Sequence, residues 1–179
     1  HGYQVTVIAP NNHSSFIGGL QIAPNGLAAL SSLGVEQEIL NKAVRLLAVH
    51  IKAFDTAVSL TNIPLSSNNA PYVSIARQDL YEILLNKCLT NSLINFMGAG
   101  VLAVAGKDNR ARRGLDTGEI ITAPIIIGAD GGDGKTRHFI SPSARQKNSG
   151  YSIYRGIFPA SKVPAGFSYP DVQLWFGIS

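Results

Sequence analysis

An apolar run that leads directly into a glycine-rich turn limits the folds open to this sequence. Residues 124–127 read PIII, and GADGGDG follows at once. A short, continuous apolar segment is typical of a central strand in a parallel sheet whose two faces are both covered. In α/β proteins, ligands bind at the carboxyl ends of such strands, which is where Asp130 lies. The run therefore predicts an α/β fold with a candidate ligand residue at Asp130, although an ordinary turn aspartate is the simpler interpretation.

Strand and helix patterns alternate along the chain. Residues 4–8 predict a strand, and leucines three apart predict a helix over 25–34 that ends at Gly34. A second clear helix is predicted over 79–89, with Asp79 as its N-terminal cap. This alternation predicts α/β architecture with some antiparallel sheet. Further elements are predicted as a short helix at 37–42, a strand pair at 47–54 and 57–63 joined around Asp55 and Thr56, and strands at 94–97, 101–104, 119–122 and 124–127.

The pattern changes after Gly150. SIYRGIFPA (152–160) and VQLWFGIS (172–179) alternate apolar and polar residues, which favours strands covered on one face. These two segments predict the beginning of a second, sheet-rich lobe.

Composition excludes several classes of function. The chain has 179 residues and a net charge of +4, which suits one folded domain or two small ones. Its one basic cluster, at 107–113, has no interleaved aromatic residues, so a solvated loop is favoured over a nucleic-acid site. The phosphate-loop motif GxxxxGK[ST] is not matched because Ala129 occupies the first glycine position. These observations disfavour nucleic-acid binding and exclude an NTPase of that class.

Cysteine and histidine usage points away from disulfide and metal chemistry. Cys88 is the single cysteine, and the four histidines lie far apart. Cys88 falls on the apolar face of the predicted 79–89 helix, so it is interpreted as a core residue and not as a nucleophile. No apolar run is long enough to cross a bilayer. We therefore expect no metal and no membrane segment, and a cytoplasmic, reducing location.

Three further segments carry candidate binding residues. Gly18 and Gly19 follow the first strand and allow a ligand to approach the backbone, although a plain turn explains them equally well. Arg77 precedes a helix, where its charge adds to the positive end of the helix dipole and suits a pyrophosphate. Arg155 lies inside an apolar segment, so it needs a partner or a cavity holding an anionic or phenolate-like substrate. For both arginines, a side chain that reaches solvent is the alternative.

In this order, these segments resemble the FAD-dependent aromatic monooxygenases of the salicylate hydroxylase and para-hydroxybenzoate hydroxylase type, common in fungal secondary metabolism. The resemblance rests on GYQVTVI, GGLQIAPNGLAALSSLG, ARQDLYEILL, IIIGADGGDGKTR and YRGIFPA, and it covers almost the whole chain. The sequence departs from the family pattern at three positions. Ala76 replaces the usual His before Arg77, Ala9 occupies the position of the ribose-binding acid, and Gly134 replaces the usual Ser.

The resemblance implies a flavoprotein monooxygenase. Such an enzyme uses FAD, NAD(P)H and O2 to hydroxylate a small aromatic or phenolic substrate, and the cofactor carries the redox chemistry. The resemblance further implies that Gly18, Gly19 and Arg77 contact FAD and that Asp130 lies near its pyrophosphate. Arg155 would then be the catalytic residue, orienting the substrate or stabilising developing negative charge.

The resemblance also implies a division into domains. Residues 1–46 and 73–145 would form an incomplete Rossmann-type FAD-binding domain of the glutathione reductase type (GR2-like). Residues 47–72 and 146–179 would begin a sheet-rich substrate domain. The chain is expected to be truncated at both ends and to lack the N-terminal GxGxxG unit. The alternative function is a non-catalytic remnant that acts as a binding or interaction module.

Overall fold

The fold is a mixture of helices with parallel and antiparallel strands. The computed structural model describes residues 2–10, 17–65, 71–107, 110–143, 146–164 and 170–177. The strands are β1 (Val5–Ala9), β2 (Gly19–Ile22), β3 (Val44–Leu46), β4 (Ala48–Ala53), β5 (Ser59–Pro64), β6 (Tyr72–Ala76), β7 (Ile94–Gly98), β8 (Val101–Lys107), β9 (Arg110–Leu115), β10 (Ile120–Ala123) and β11 (Val172–Phe176). The helices are α1 (Pro24–Ser32), α2 (Glu36–Lys42), α3 (Arg77–Leu89) and α4 (Lys135–Ile140), with a 3-10 turn at Ala160–Lys162. The predicted α/β class with added antiparallel sheet is confirmed.

The chain divides into two compact units. Unit 1 comprises His1–Ser14 and Asn91–Ile153, and unit 2 comprises Ser15–Thr90 and Tyr154–Ser179. These bounds follow from contacts within the chain and do not identify what either unit binds. The predicted division into FAD and substrate domains therefore stays a prediction.

Unit 1 contains a parallel strand pair and an antiparallel meander. β1 pairs in parallel with β7, from Val5 opposite Ile94 to Ala9 opposite Gly98. β8, β9 and β10 form an antiparallel sheet in which β9 is central. Helix α4 packs against β8. The parallel pair agrees with the predicted first strand at 4–8.

Unit 2 holds a core formed between a sheet and three helices. Strand β6 is central in the antiparallel sheet β2-β6-β3, and α1, α2 and α3 supply the helical side of the core. Burial of apolar side chains in such a cluster is the main favourable contribution to folding. The buried members are Ile22, Leu27, Val35, Ile39, Val73, Ile75 and Ile83.

A second sheet in unit 2 joins distant parts of the sequence. β11 pairs in parallel with β4, and β4 pairs antiparallel with β5. The carboxylate of Asp171, just before β11, accepts a hydrogen bond from the Ala48 amide at 3.1 Å and lies 3.0 Å from His50 Nε2. Further along the same strands, Lys52 Nζ lies 5.2 Å from the ring centre of Trp175. These contacts attach β11 to β4.

The local elements of unit 2 follow the sequence signals closely. Gly34 has φ +71 just after α1 and its C-cap residue, which confirms it as the helix stop, because this backbone conformation favours glycine. The predicted hairpin around residues 55 and 56 is confirmed by the pairing of β4 with β5.

The strand predicted at 124–127 is wrong. The residues after β10 are irregular, and the side chains of Ile125 and Ile127 are 77% and 82% exposed. Within the described ranges, no strand pairs with this segment. Apolar composition alone does not satisfy the backbone groups of a strand, since these need a hydrogen-bonded neighbour.

The strand predicted at 152–160 is also wrong. Residues 151–159 form no helix or strand, and the side chain of Tyr154 is 95% exposed. Gly156 and Pro159 interrupt the pattern, and proline cannot donate a hydrogen bond to a neighbouring strand. The strand predicted at 172–179, in contrast, is confirmed as β11 over Val172–Phe176.

The start of the third helix differs from the prediction. α3 begins at Arg77 with Ala76 as its N-cap residue, and no side chain caps it. Asp79 instead accepts a hydrogen bond from Lys42 Nζ at 2.7 Å, which links α3 to α2. This hydrogen bond and the attraction of Asp79 raise the pKa of Lys42. Cys88 is half-buried on α3, in agreement with a packing role.

A matched pair of leucines tests the assignment of the unit 2 core. Leu27 in α1 is 2% exposed, whereas Leu33, the C-cap residue of the same helix, is 56% exposed. We expect Leu27→Ala to lower the free energy of unfolding by about 2–5 kcal/mol and Leu33→Ala by less than about 0.5 kcal/mol. Denaturant unfolding followed by circular dichroism measures both. Equal losses in the two variants would contradict the assigned core.

Candidate functional site

Gly18 lies at a close contact between two chain segments of unit 2. It is buried and has φ +109, a conformation that glycine adopts without the strain caused by a Cβ atom. β2 begins at the next residue and pairs antiparallel with β6, so that Gly19 is opposite Ala76. The amide of Arg77, the first residue of α3, donates a hydrogen bond to the Gly18 carbonyl at 3.0 Å. The backbone before β2 is thereby joined to the start of α3.

Two arginine side chains lie beside Gly18. A Cβ atom placed on Gly18 would be 3.7 Å from Cδ of Arg155 and 4.0 Å from Cδ of Arg77. Both arginines are exposed. A Cβ atom on Gly19 would lie 3.5 Å from the Ser74 hydroxyl, so the backbone at both glycines is approached closely. The structure thus brings together four of the five residues predicted for the site, within one unit.

The side chains at this cluster carry positive charge. Among the residues that the structure describes, no carboxylate forms a salt bridge with Arg77 or Arg155. Asp79 is the acid nearest to Arg77 in sequence, but it is paired with Lys42 at 2.7 Å. Two guanidinium groups with ten N–H donors between them suit an anion, and phosphate matches their planar geometry. The donor set therefore fits the phosphate part of a dinucleotide such as FAD.

The surroundings of Arg155 differ from the predicted ones. The sequence placed its charge inside an apolar strand, but it lies exposed on an irregular segment. Nothing in the local sequence indicates that Arg155 and Gly18 are neighbours, because the contact is tertiary. The roles predicted for Gly18, Gly19, Arg77 and Arg155 stay predictions, while their proximity is a property of the fold.

Asp130 belongs to unit 1, where its carboxylate orders the glycine-rich turn. Asp130 Oδ2 accepts hydrogen bonds from the Thr136 amide at 3.0 Å and from the Thr136 hydroxyl at 3.2 Å. Thr136 is 2% exposed near the start of α4. Asp130 therefore caps a helix that lacks a side-chain cap from its own N-cap residue. Sequence reasoning missed Thr136, because the usual capping patterns join residues two or three apart and Thr136 lies six residues after Asp130.

The turn around Asp130 depends on glycine. A Cβ atom on Gly134 would overlap the Asp130 carboxyl group, and one on Gly128 would lie 2.5 Å from Thr136 Cγ2. Gly131 has φ +80. An open depression of about 500 Å³ lies between the turn and α4. The position of Gly134 shows why the serine of the family pattern does not fit this arrangement, because the Asp130 carboxylate occupies the space of its side chain.

The described residues contain no group of three or more His, Cys, Asp or Glu side chains placed to hold a metal ion. In the same residues, no helix combines the length and the apolar character needed to span a membrane. The predicted cytoplasmic location stays a prediction.

The sequence is similar to curated aromatic monooxygenases. It is 29% identical over 164 residues to 3-amino-4-hydroxybenzoate 2-monooxygenase of Streptomyces cremeus, a match that covers 89% of this chain and 41% of the relative. It is 25% identical over 170 residues to 3-hydroxybenzoate 6-hydroxylase 1 of Aquipseudomonas alcaligenes, covering 89% of this chain and 42% of the relative. The chain thus spans about two fifths of the length of these relatives. No protein-family model matches the sequence.

The fold is similar to that of solved flavoprotein structures. The structure of pqsL, described as a probable FAD-dependent monooxygenase from Pseudomonas aeruginosa, superposes with a TM-score of 0.70 at 15% identity. The match covers 82% of this chain and 41% of that structure. Together with the curated relatives, it confirms the resemblance to FAD-dependent aromatic monooxygenases.

The crowding at Gly134 yields a stability prediction. Its φ of −62 and ψ of 142 are open to any residue, so an added methyl group acts only through its overlap with Asp130. We expect Gly134→Ala to lower the free energy of unfolding by about 1–3 kcal/mol. Gly114→Ala is the matched control, because a Cβ atom there meets nothing within 4 Å.

Thermal or denaturant unfolding measures both alanine variants. In an Asp130→Ala background, the further loss caused by Gly134→Ala is expected to shrink, because the overlapping carboxyl group is gone. An unchanged loss in that background would show that the overlap is not the cause.

Proposed function

We propose that this chain supplies part of the FAD site and part of the substrate site of a monooxygenase. The reaction is hydroxylation of a small aromatic or phenolic compound with NAD(P)H and O2. The observation that carries the proposal is the cluster at Gly18, where two arginines flank a glycine at φ +109 and form no salt bridge with any carboxylate that the structure describes. Support comes from the similarity to aromatic monooxygenases over 89% of the chain.

The two parts of the fold receive separate roles in this proposal. Residues 1–46 and 73–145 belong to an incomplete Rossmann-type FAD-binding domain, in which β1 and β7 are neighbouring parallel strands. Residues 47–72 and 146–179 begin the substrate domain, whose sheet includes β4, β5 and β11. Parallel pairing of β1 with β7 supports the first assignment, since parallel strands are characteristic of dinucleotide-binding folds.

The chain's own residues bind and position the cofactor. FAD, when bound, supplies the redox chemistry that activates O2 after reduction by NAD(P)H. Gly18 and Gly19 allow the dinucleotide to approach the backbone, since neither has a side chain there. Arg77 donates charge-assisted hydrogen bonds to a phosphate oxygen, close to the positive end of the α3 dipole. Asp130 holds the turn at 128–134 in shape through Thr136, and its proposed place near the FAD pyrophosphate rests on the resemblance alone.

Arg155 acts on the substrate in this proposal. The curated relatives are named for hydroxybenzoates, which carry a carboxylate and a phenolic hydroxyl group on one ring. A guanidinium can donate two hydrogen bonds to a carboxylate or stabilise a phenolate. Arg155 thereby orients the ring and stabilises negative charge that develops on it. Its exposure leaves the guanidinium accessible to such a ligand.

A second candidate function is a non-catalytic binding or interaction module. The observation that favours it is the exposure of apolar side chains in the segment after β10, where Ile125 and Ile127 are 77% and 82% exposed. Apolar surface of this kind marks interaction sites when it forms a contiguous patch.

Flavin binding separates the two functions. Trp175, the single tryptophan of the chain, lies on β11 and gives an intrinsic fluorescence signal. We expect added FAD to bind to the chain. Binding should change the absorbance spectrum of the flavin and quench the fluorescence of Trp175. Arg77→Gln should raise the Kd for FAD roughly tenfold or more, because a hydrogen bond to a charged group is lost. Arg45→Gln is the control, since Arg45 is an exposed arginine on β3 in the same unit.

The outcomes are distinct. A bound flavin that NAD(P)H reduces would exclude the non-catalytic module. If no flavin binds even at high micromolar FAD, autonomous monooxygenase activity of this chain is excluded.

A further inference from the structure

We infer that Arg77 and Arg155 bind one shared phosphate group, so that Arg155 belongs to the dinucleotide site as well as to the substrate site. The inference rests on the proposed function and deepens it. The resemblance to known monooxygenases assigned these two residues to different ligands. The structure places them beside the same glycine.

Both arginine stems pass close to the same position beside Gly18. Cδ of Arg155 and Cδ of Arg77 both lie within 4.0 Å of the position that a Cβ atom would take on Gly18. Each guanidinium begins one bond beyond its Cδ atom and carries five N–H donors. Two donor groups that start from neighbouring points can reach oxygens of the same tetrahedral anion. One phosphate offers enough oxygens for both groups.

The electrostatics favour an anion shared by the two groups. Two guanidinium groups that bind one ligand repel each other, and an anion between them offsets that repulsion. Within the described part of unit 2, no carboxylate has this role, since Asp79 is paired with Lys42 and Asp171 with His50. The pyrophosphate of a dinucleotide carries two negative charges in all, one on each phosphate, and suits a pair of arginines better than the single charge of an aromatic carboxylate. We therefore assign the shared ligand as phosphate.

The backbone fixes one side of this pair. The Arg77 amide donates its hydrogen bond to Gly18 at 3.0 Å, and Gly18 holds a conformation that favours glycine. Arg155, in contrast, extends from a segment without helix or strand. A phosphate bound by both arginines would therefore tie the segment around residue 155 to the start of α3. Cofactor binding would position Arg155 before the substrate arrives.

Calorimetric titration of the intact chain with phosphate probes tests the inference. The probes are ADP and inorganic pyrophosphate, with 3-hydroxybenzoate as the carboxylate probe. We expect Arg77→Gln and Arg155→Gln each to raise the Kd for ADP roughly tenfold or more, because each removes a charge-assisted hydrogen bond. In the double variant, the fold-increase in the Kd for ADP should be smaller than the product of the fold-increases in the two single variants. The two effects are not independent, since both groups act on one anion.

The matched control is Arg45→Gln, which removes the same charge from an exposed position on β3. The side chains of Arg45, Arg77 and Arg155 are all exposed, so circular dichroism should show unchanged folding in each variant. If Arg45→Gln weakens ADP binding as much as Arg155→Gln does, the effect is general electrostatics and the inference is wrong.

Two other results would overturn the inference. In the first, Arg155→Gln leaves the Kd for ADP and pyrophosphate unchanged and raises only the Kd for 3-hydroxybenzoate. That result would retain the proposed function, with Arg155 acting on the substrate alone. In the second, the unmodified chain binds FAD but neither phosphate probe. Failure of the proposed function itself has a different signature, namely the absence of FAD binding by the unmodified chain.

Discussion

The antiparallel pairing of β2 with β6 is the contact on which the candidate site depends. It places Gly19 opposite Ala76 and allows the Arg77 amide to donate to the Gly18 carbonyl. β6 is also the central strand of the sheet over the unit 2 core, where its residues Val73 and Ile75 are buried. The same strand ends directly before Arg77. Packing energy from the core thus holds the backbone of the site in place. The charged side chains themselves contribute little to stability and remain available to a ligand.

Side-chain hydrogen bonds, and not strand pairing, order the glycine-rich turn of unit 1. There, the Asp130 carboxylate caps the N-terminus of α4, and the absence of a side chain at Gly134 leaves room for that carboxylate. The family pattern has serine at this position, which normally caps a helix through its own hydroxyl group. In this chain Asp130 supplies the cap from the preceding turn. The aspartate predicted as a ligand residue therefore has a structural role that is visible in its hydrogen bonds, and any contact with a cofactor would come in addition to it.

Local elements could be predicted where the signals act within a few residues. The helix that ends at Gly34, the hairpin between β4 and β5 and the strand β1 follow from periodicity and turn chemistry. The strands predicted at 124–127 and 152–160 failed for a shared physical reason, to which the interruption by Gly156 and Pro159 is added in the second segment. A strand needs a partner for its backbone groups, and an apolar or alternating pattern contains no information on whether a partner is present. The cap assigned to Asp79 failed because α3 begins at Arg77, which places Asp79 inside the first turn, where its carboxylate accepts a hydrogen bond from Lys42.

The sequence by itself determined the α/β class, the order of most elements and the identity of the chemically distinctive residues. Its motifs were sufficient to identify the resemblance to aromatic monooxygenases. Only the tertiary structure decided which of these residues meet, since Gly18, Arg77 and Arg155 come from three separate segments of the chain. It also decided that Asp130 is engaged with Thr136. The physical reason is that periodicity and capping are short-range effects, whereas contacts between segments depend on strand pairing and on the packing of a common core.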